Sequence, residues 1–178
     1  MNKISSCNQL KDLRRNKWRG IPNSPGIYWW YFPKSDLIRL NINNHQFLKF
    51  HSIPNGSVCL YVGVASVLSK RIKWHGDQHL TDGALRSRFL STLRFSILAM
   101  LKIHYKDGEK VVNCVFDKLH VRWKTTSSKN EARSLEMKEL CGEYHYPLNI
   151  QHNRNTLVAE YVQRLRSARK IYRKTYLL

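Results

Sequence analysis

Two short apolar runs alternate with polar segments along the first third of the chain. Ile27 to Phe32 is rich in aromatic and β-branched residues, and Val58 to Val62 is a similar run that stops at Gly63. Runs of this length and composition, bounded by turn residues, are typical of buried β-strands. The polar segment between them, residues 33–57, predicts an insertion that holds one weaker strand at Gln46 to Phe50.

Helical spacing of apolar residues dominates much of the remaining sequence. Apolar positions recur every three or four residues in three segments, which we predict to be amphipathic helices. These segments are Ser66 to His75, Leu85 to Tyr105 and Asn155 to Lys174. Ser128 and Glu131 have the spacing of a capping box, so a fourth helix is predicted from there to about Cys141. A short helix is also predicted around Cys7 to Lys17.

A further pair of apolar runs predicts a hairpin. Val111 to Phe116 and Leu119 to Trp123 are separated only by Asp117-Lys118. With the elements above, this unit predicts a small α/β (α+β) domain. A chain of 178 residues is long enough to bury one hydrophobic core, and we expect three parts in it. They are a basic lead-in at residues 1–20, a core domain at 21–150, and a basic C-terminal helix at 151–178 that packs on the same domain.

Net charge is the property that points most directly to a partner. The chain has 31 Lys and Arg against 12 Asp and Glu, a net charge of +19 and a pI near 10.1. Such an excess repels itself in a compact fold, which favours a polyanionic partner such as nucleic acid. A ribosome-type structural protein, or a surface that is merely solubilising, has a similar composition. The predicted nucleic-acid contacts are Lys70, Lys73, Arg86, Arg88, Arg94, Arg164, Arg166, Arg169 and Lys170.

Cysteine spacing and hydropathy bear on metal content and location. The four cysteines are Cys7, Cys59, Cys114 and Cys141, which form neither a zinc-knuckle spacing nor a disulfide framework. His75 and His79 have no third ligand at zinc spacing either. The longest apolar stretch, Phe89 to Leu101, is too short to span a bilayer, and Met1 to Arg19 does not resemble a signal peptide. We therefore expect a soluble, cytoplasmic protein with free thiols and no membrane contact.

Five short sequence elements occur in an order that indicates a catalytic site. They are Gly26-Ile27-Tyr28, Tyr61-Val62-Gly63, Arg71 with His75, Glu131-Ala132 with Glu136, and Pro147-Leu148-Asn149. Together they resemble the defining elements of the GIY-YIG nuclease superfamily. The resemblance covers residues 25–150, and it is closest to the small restriction-like or stand-alone bacterial members.

This resemblance implies a metal-dependent DNA endonuclease built on a small, mostly antiparallel three-stranded sheet flanked by helices. The implied catalytic residues are Tyr28, Tyr61, Arg71, His75, Glu136 and Asn149. Glu136 would hold Mg²⁺ or Mn²⁺, since a carboxylate is a hard oxygen ligand. Arg71 would bind the phosphate through its planar fork of donors. A tyrosine would accept the proton of the attacking water, and the sequence leaves open whether Tyr28 or Tyr61 does so.

The chain departs from the family pattern at three places. Val64 follows the second triplet, where repair-type members usually have Lys. Residues 33–57 are longer than the hairpin of minimal members, although restriction-type members tolerate such an insertion. The gap from Glu136 to Asn149 is slightly stretched, which identifies Asn149 less firmly than Glu136.

Several alternatives stay open at this stage. Tyr28 and Tyr61 are also plausible as plain strand aromatics of the core. Glu139 is either a second metal ligand or a surface charge, Glu143 is another rival to Glu136, and Glu131 is explained by the helix cap. The favoured function is a restriction or mobile-element enzyme that cuts double-stranded DNA. Small restriction enzymes of the superfamily often pair subunits to cut both strands, which favours a homodimer. A non-catalytic nucleic-acid-binding module on the same scaffold and an RNA-directed nuclease are the alternatives.

Overall fold

A four-stranded antiparallel sheet forms the centre of the molecule. The computed structural model describes residues 4–42, 45–87 and 89–176. The strands are β1 (Asn8–Gln9), β2 (Gly26–Phe32), β3 (Val58–Ala65) and β4 (His120–Thr125), in the spatial order β1-β4-β2-β3. Strand β2 is therefore paired on both sides, whereas β3 lies at an edge. The resemblance implied a three-stranded sheet, and the two-residue β1 is a fourth strand that was not predicted.

Eight α-helices flank the sheet within the described ranges. They are α1 (Leu10–Arg15), α2 (Ser35–Arg39), α3 (Leu68–Asp77), α4 (Asp82–Arg86), α5 (Thr92–Leu101), α6 (Tyr105–Asp117), α7 (Lys129–Cys141) and α8 (Thr156–Tyr176). A single 3₁₀ turn is formed by His45–Phe47. Among the described helices, none is long and apolar enough to cross a membrane. All four cysteines are unpaired.

Alternation along β2 divides the hydrophobic interior into two clusters. Tyr28, Trp30 and Phe32 belong to the larger cluster, which also contains buried residues of α1, α3, α5, α6 and α8. Ile27 and Tyr31 belong to a smaller cluster with residues of β3 and α7. Because successive side chains of a strand point to opposite faces, a strand buried on both faces reads as an unbroken apolar run.

Two predicted strands are not strands in the structure. The segment Gln46 to Phe50 is not a strand, because its first residues form the 3₁₀ turn and the rest has no regular structure. Val111 to Phe116 is the second half of α6, in which Val112, Val115 and Phe116 are buried at helical spacing. The β-branched residues favoured a strand, but tertiary packing overrides that weak preference.

The predicted helix from Leu85 to Tyr105 is interrupted. It consists of α4 and α5, and Ser91 caps the start of α5 by accepting a hydrogen bond from the backbone N–H of Arg94 at 3.3 Å. The predicted cap of α7 is confirmed, because the Ser128 hydroxyl accepts from the Glu131 N–H at 3.1 Å. The Glu131 carboxylate accepts in turn from the N–H of Ser127, which accounts for this residue as part of the cap.

Candidate active site

The register of β2 against β3 brings two tyrosines together. Tyr28 lies opposite Gly63, and Trp30 lies opposite Tyr61, with an irregularity in the ladder just beyond Trp30. The rings of Tyr28 and Tyr61 have centroids 6.4 Å apart. Tyr28 is 1% exposed, whereas Tyr61 is half-buried and more open to the pocket described below.

Gly63 is what allows the Tyr28 ring to lie across β3. A Cβ atom at this position would stand 2.6 Å from the Tyr28 hydroxyl oxygen and 3.0 Å from the Tyr61 ring. Gly26 has a similar constraint, because its Cβ would stand 2.3 Å from the carbonyl oxygen of Lys124 on β4. Neither glycine has a positive φ, so close approach rather than backbone conformation excludes a side chain here.

Helix α3 places the buried His75 within hydrogen-bonding distance of the Tyr28 hydroxyl. Nε2 of His75 lies 2.8 Å from the Tyr28 hydroxyl oxygen, and Nδ1 lies 2.5 Å from the hydroxyl of Ser91. The three side chains form a continuous hydrogen-bonded row from β2 through α3 to the start of α5. Sequence reasoning missed Ser91, because the helix break that exposes it as a cap was read as continuous helix.

Burial keeps the groups of this row uncharged. It lowers the pKa of His75 well below its usual value, and the guanidinium groups of Arg71 and Arg94 lower it further. It also raises the pKa of Tyr28 well above its usual value, with Tyr61 adding to the effect and Arg71 opposing it. The pKa of Tyr61 is raised by burial and opposed by Arg71. A neutral imidazole therefore faces two neutral phenols.

The tyrosines and the histidine line an open pocket of about 810 Å³ whose polar rim is basic. Among the described residues that line it, the cations are Lys70, Arg71, Lys129 and Arg133, and the acidic residue is Glu136. Arg71 is exposed one turn before His75, and its guanidinium lies over the Trp74 ring, 4.7 Å from the centroid. Lys129 and Arg133, both on α7, were not singled out from the sequence as nucleic-acid contacts.

Glu136 is a carboxylate of this pocket that could hold a cation. It is half-buried, and burial raises its pKa, while His152 and Arg133 oppose the shift. Within the described part of the chain its carboxylate has no hydrogen bond or ion pair. A cation beside it would relieve the cost of burying the charge.

One protein carboxylate is a sufficient anchor for magnesium. The described residues contain no group of three or more His, Cys, Asp and Glu side chains placed to share an ion. Magnesium and manganese, which accept one carboxylate and fill their shells with water and phosphate oxygens, fit this donor set. Zinc, which requires three or four protein ligands, does not fit it.

The other acidic residues of this region are engaged elsewhere. Glu139 accepts a short hydrogen bond from the Tyr146 hydroxyl, beside the smaller hydrophobic cluster. Glu143 is exposed and forms an ion pair with Lys49. Neither carboxylate lines the pocket that contains Glu136.

Asn149 lies at the edge of the pocket with its amide group occupied. Its Nδ2 donates to the carbonyl oxygen of Val62 at 2.7 Å, and its Oδ1 accepts from the N–H of Val62 at 3.0 Å. Both contacts are to the backbone of Val62, on the outer edge of β3 between Tyr61 and Gly63. Asn149 therefore fixes the strand that carries the second triplet, and these two bonds use one of the two N–H donors of its amide group and one lone pair of its oxygen.

The predicted basic contacts of α3, α4 and α5 fall into different environments. Lys70 lines the pocket and Lys73 is exposed on the same helix. Arg86 is exposed and forms an ion pair with Asp82 at 2.7 Å. Arg88 lies outside the described residues. Arg94 is 0% exposed, so it is not available to contact nucleic acid directly, contrary to the sequence prediction.

Arg94 instead holds the end of α3 in place. Its guanidinium donates to the carbonyl oxygens of His75 at 3.2 Å and Gly76 at 2.9 Å, and to the Asn113 side chain at 2.6 Å. It also lies over the Phe116 ring, 4.8 Å from the centroid. These contacts satisfy carbonyl groups that a helix end leaves without partners.

Helix α8 packs against α5 and carries a basic groove, two of whose arginines lie over the Phe95 ring of α5. The groove, of about 340 Å³, is lined by Arg166, Arg169, Lys170, Arg173 and Lys174. Burial lowers the pKa of Arg169 to about 10, and its guanidinium lies 4.9 Å from the Phe95 centroid. Arg164, the remaining predicted contact, lies 3.9 Å from Glu160 and lines neither pocket.

Comparison with known proteins gives one finding. A family model described as the GIY-YIG catalytic domain matches residues 26–171, a span that contains Tyr28, Tyr61, His75 and Glu136. No curated protein and no solved structure shows significant similarity to the chain.

Proposed function

The chain belongs to the GIY-YIG nuclease superfamily, and on that premise we propose that it is a metal-dependent endonuclease that hydrolyses double-stranded DNA. The observation that carries the proposal is the composition of the main pocket. One half-buried carboxylate, Glu136, stands among four cations and opposite the hydrogen-bonded pair of Tyr28 and His75. A protein that only bound nucleic acid would gain nothing from this carboxylate, because a negative charge repels phosphate.

Glu136 is proposed to hold one Mg²⁺ or Mn²⁺ ion. When bound there, the ion offsets the negative charge that develops on the phosphate and on the leaving oxygen. Arg71 binds a phosphate oxygen through its guanidinium fork, and stacking on Trp74 limits the directions in which that fork points. Lys70 supplies positive charge on the same rim, so the loss of the Lys usual after the second triplet is offset locally.

Tyr28 is proposed as the group that accepts the proton of the attacking water. Burial makes a free phenolate costly at this position, so the phenol must lose its own proton as it gains the proton of the water. His75 is the acceptor, because its Nε2 lies 2.8 Å from the phenol oxygen and its imidazole is uncharged. Tyr61, which is more open to the pocket, orients the water or the phosphate.

Ser91 determines which imidazole nitrogen is free to accept that proton. Its hydroxyl oxygen accepts the N–H of Arg94 and lies 2.5 Å from Nδ1 of His75. We assign the hydrogen to Nδ1, which donates to Ser91 and leaves the lone pair of Nε2 directed at Tyr28. The products of the transfer are an imidazolium held by Ser91 and a regenerated neutral phenol.

Substitution of Glu136 tests the metal site. Glu136→Gln keeps the shape of the side chain and removes its charge, so we expect cleavage to fall by about 100-fold or more. Binding to DNA should persist or tighten slightly, since a negative charge leaves a basic pocket. Supercoiled plasmid and long mixed-sequence DNA, each with Mg²⁺, Mn²⁺ or EDTA, measure cleavage, and Mn²⁺ titration measures the site itself.

Glu143→Gln is the matched control, because Glu143 is exposed and lies away from the pocket. Wild-type cleavage by Glu136→Gln would show that the ion is held elsewhere. Salt-sensitive DNA binding by the wild type without cleavage in either metal would favour the non-catalytic module. Preferential cleavage of RNA in a competition would replace DNA as the substrate.

Discrete fragments would support the proposed use in restriction or mobile-element defence. Restriction in that sense requires that both strands be cut. A homodimer, which would supply one pocket for each strand, stays a prediction, and sedimentation of the protein with and without DNA measures it.

A further inference from the structure

An exposed aromatic residue stands at the lip of the active-site pocket. Phe89 is 71% exposed and lines the pocket beside Trp74, with ring centroids 6.1 Å apart in an edge-to-face arrangement. Single exposed apolar side chains are common on protein surfaces and require no explanation by themselves. Among the large exposed apolar side chains of the described residues, however, Phe89 is the one that lines this pocket.

The backbone that follows the Phe89 side chain is held by the side chain of Gln78. The Gln78 side chain donates to the carbonyl oxygen of Phe89 at 2.6 Å and accepts from the N–H of Ser91 at 2.5 Å. The Ser91 hydroxyl is itself hydrogen-bonded to His75 and to the backbone N–H of Arg94 at the start of α5. The carbonyl end of Phe89 is therefore anchored to the segment that contains Ser91, and the ring itself contacts Trp74.

Trp74 connects this ring to the phosphate-binding arginine. Its indole contacts Phe89 on one side, while the Arg71 guanidinium lies 4.7 Å from its centroid. Three flat groups thus form a strip from Arg71, through Trp74, to Phe89 at the rim. A phosphate held by Arg71 brings its own nucleotide, and the neighbouring one, within reach of this strip.

We propose that Phe89, supported by Trp74, stacks on a nucleobase next to the phosphate that is cut, and displaces that base from its normal stack. Apolar side chains inserted at a base step unstack and bend a duplex, and aromatic side chains stack on bases of any sequence. The inference rests on the proposed nucleic-acid substrate. It adds a base contact, whereas the basic rim recognises only phosphates.

Phe89→Ala tests the stacking contact, with Phe47→Ala as the matched control. Phe47 is equally exposed, at 70%, but lies in the 3₁₀ turn away from the pocket. Loss of one stacked base corresponds to a loss of roughly 5- to 150-fold in affinity. We expect Phe89→Ala to bind duplex DNA at least about fivefold more weakly with an unchanged melting temperature, whereas Phe47→Ala and Phe89→Trp stay close to the wild type.

The probe is mixed-sequence duplex DNA in which 2-aminopurine replaces adenine, studied in EDTA so that nothing is cut. Wild-type protein should raise the 2-aminopurine fluorescence as bases leave the stack, and Phe89→Ala should abolish most of that rise. Equal binding and equal fluorescence for the two proteins would overturn the inference. So would a wild type that binds without any fluorescence change, because Phe89 would then contact DNA without unstacking it.

The two proposals fail in different ways. If the wild type binds and cuts DNA but Phe89→Ala behaves identically, only the stacking contact is wrong. If the wild type does not bind DNA, the proposed substrate is wrong and the stacking contact is overturned with it. Absence of cleavage alone leaves the fluorescence result valid, because that measurement contains no metal.

Discussion

Addition of one methyl group at Gly63 should separate the proposed proton acceptor from its histidine. In Gly63→Ala the new Cβ would lie 2.6 Å from the Tyr28 hydroxyl oxygen, whereas ordinary van der Waals contact begins at 3.4 Å. The backbone of Gly63 does not have a positive φ, so alanine is conformationally acceptable there. The conflict must be relieved by movement of the Tyr28 ring or of β3.

The required displacement of the Tyr28 hydroxyl is about as large as the change in length that its hydrogen bond to His75 can accommodate. The bond is 2.8 Å long, and a retreat from 2.6 to 3.4 Å at the hydroxyl oxygen takes it out of hydrogen-bonding range or out of line. A misplacement of about 1 Å at a catalytic group costs on the order of 100-fold in rate. Overpacking a buried site costs about 1–3 kcal/mol of folding stability.

Single-turnover cleavage measures the rate, and urea unfolding measures the stability in parallel. We expect Gly63→Ala to remain folded and to bind DNA, but to cut it about 100-fold more slowly. Gly83→Ala is the control, since a Cβ there meets nothing within 4 Å and lies in a helix, where alanine is favoured. If Gly63→Ala cuts DNA at the wild-type rate, contact between Tyr28 and His75 is not required for catalysis.

Two further predictions concern groups behind the pocket. Arg94→Met should lower the free energy of unfolding by about 2–4 kcal/mol, because it removes the charged donor of the buried His75 carbonyl group and of the Asn113 side chain. Loss of the exposed ion pair in Arg86→Ala should cost under about 1 kcal/mol. Urea unfolding measures both variants, and equal costs would contradict the buried role of Arg94. Burial lowers the pKa of His75 in the folded state. The folded state therefore favours the neutral imidazole, and the stability linked to it is fully present above the unfolded-state pKa of about 6.5. That stability is lost as the pH falls through the folded-state pKa. Melting temperature should therefore fall less between about pH 7.5 and pH 5.5 in His75→Gln than in the wild type, and parallel pH profiles would refute the assignment.

The sequence predicts the strands of the centre well because they are buried on both faces. Ile27 to Phe32 and Val58 to Val62 have no room for polar residues, and their composition shows it. Val111 to Phe116 has a similar composition but forms helix, in which Val112, Val115 and Phe116 are buried at helical spacing and Cys114 is exposed. Short apolar runs of this kind do not distinguish strand from helix by composition alone.

The arrangement of the site was less predictable than its residue types. Order along the chain predicts Tyr28, Tyr61 and Glu136 as candidates, and the structure brings them to one pocket. The same order does not reveal Ser91, which is a helix cap at a break that the apolar pattern conceals. The sequence also wrongly predicts Arg94 as a nucleic-acid contact. Helix α5 is buried on almost all sides, and the charge of an arginine does not show whether it faces inward or outward on such a helix.

The electrostatics of the pocket suggest why the proton relay would act only on bound substrate. In the free protein, burial and the charges of Arg71 and Arg94 hold the pKa of His75 low, so its imidazole resists accepting a proton from Tyr28. A phosphate bound against Arg71 offsets the charge of that guanidinium and lessens its repulsion of an imidazolium. The anion would thus raise the proton affinity of His75 at the moment when the attacking water must lose a proton. Arg71 would then act twice, by holding the phosphate and by releasing the histidine from its repulsion.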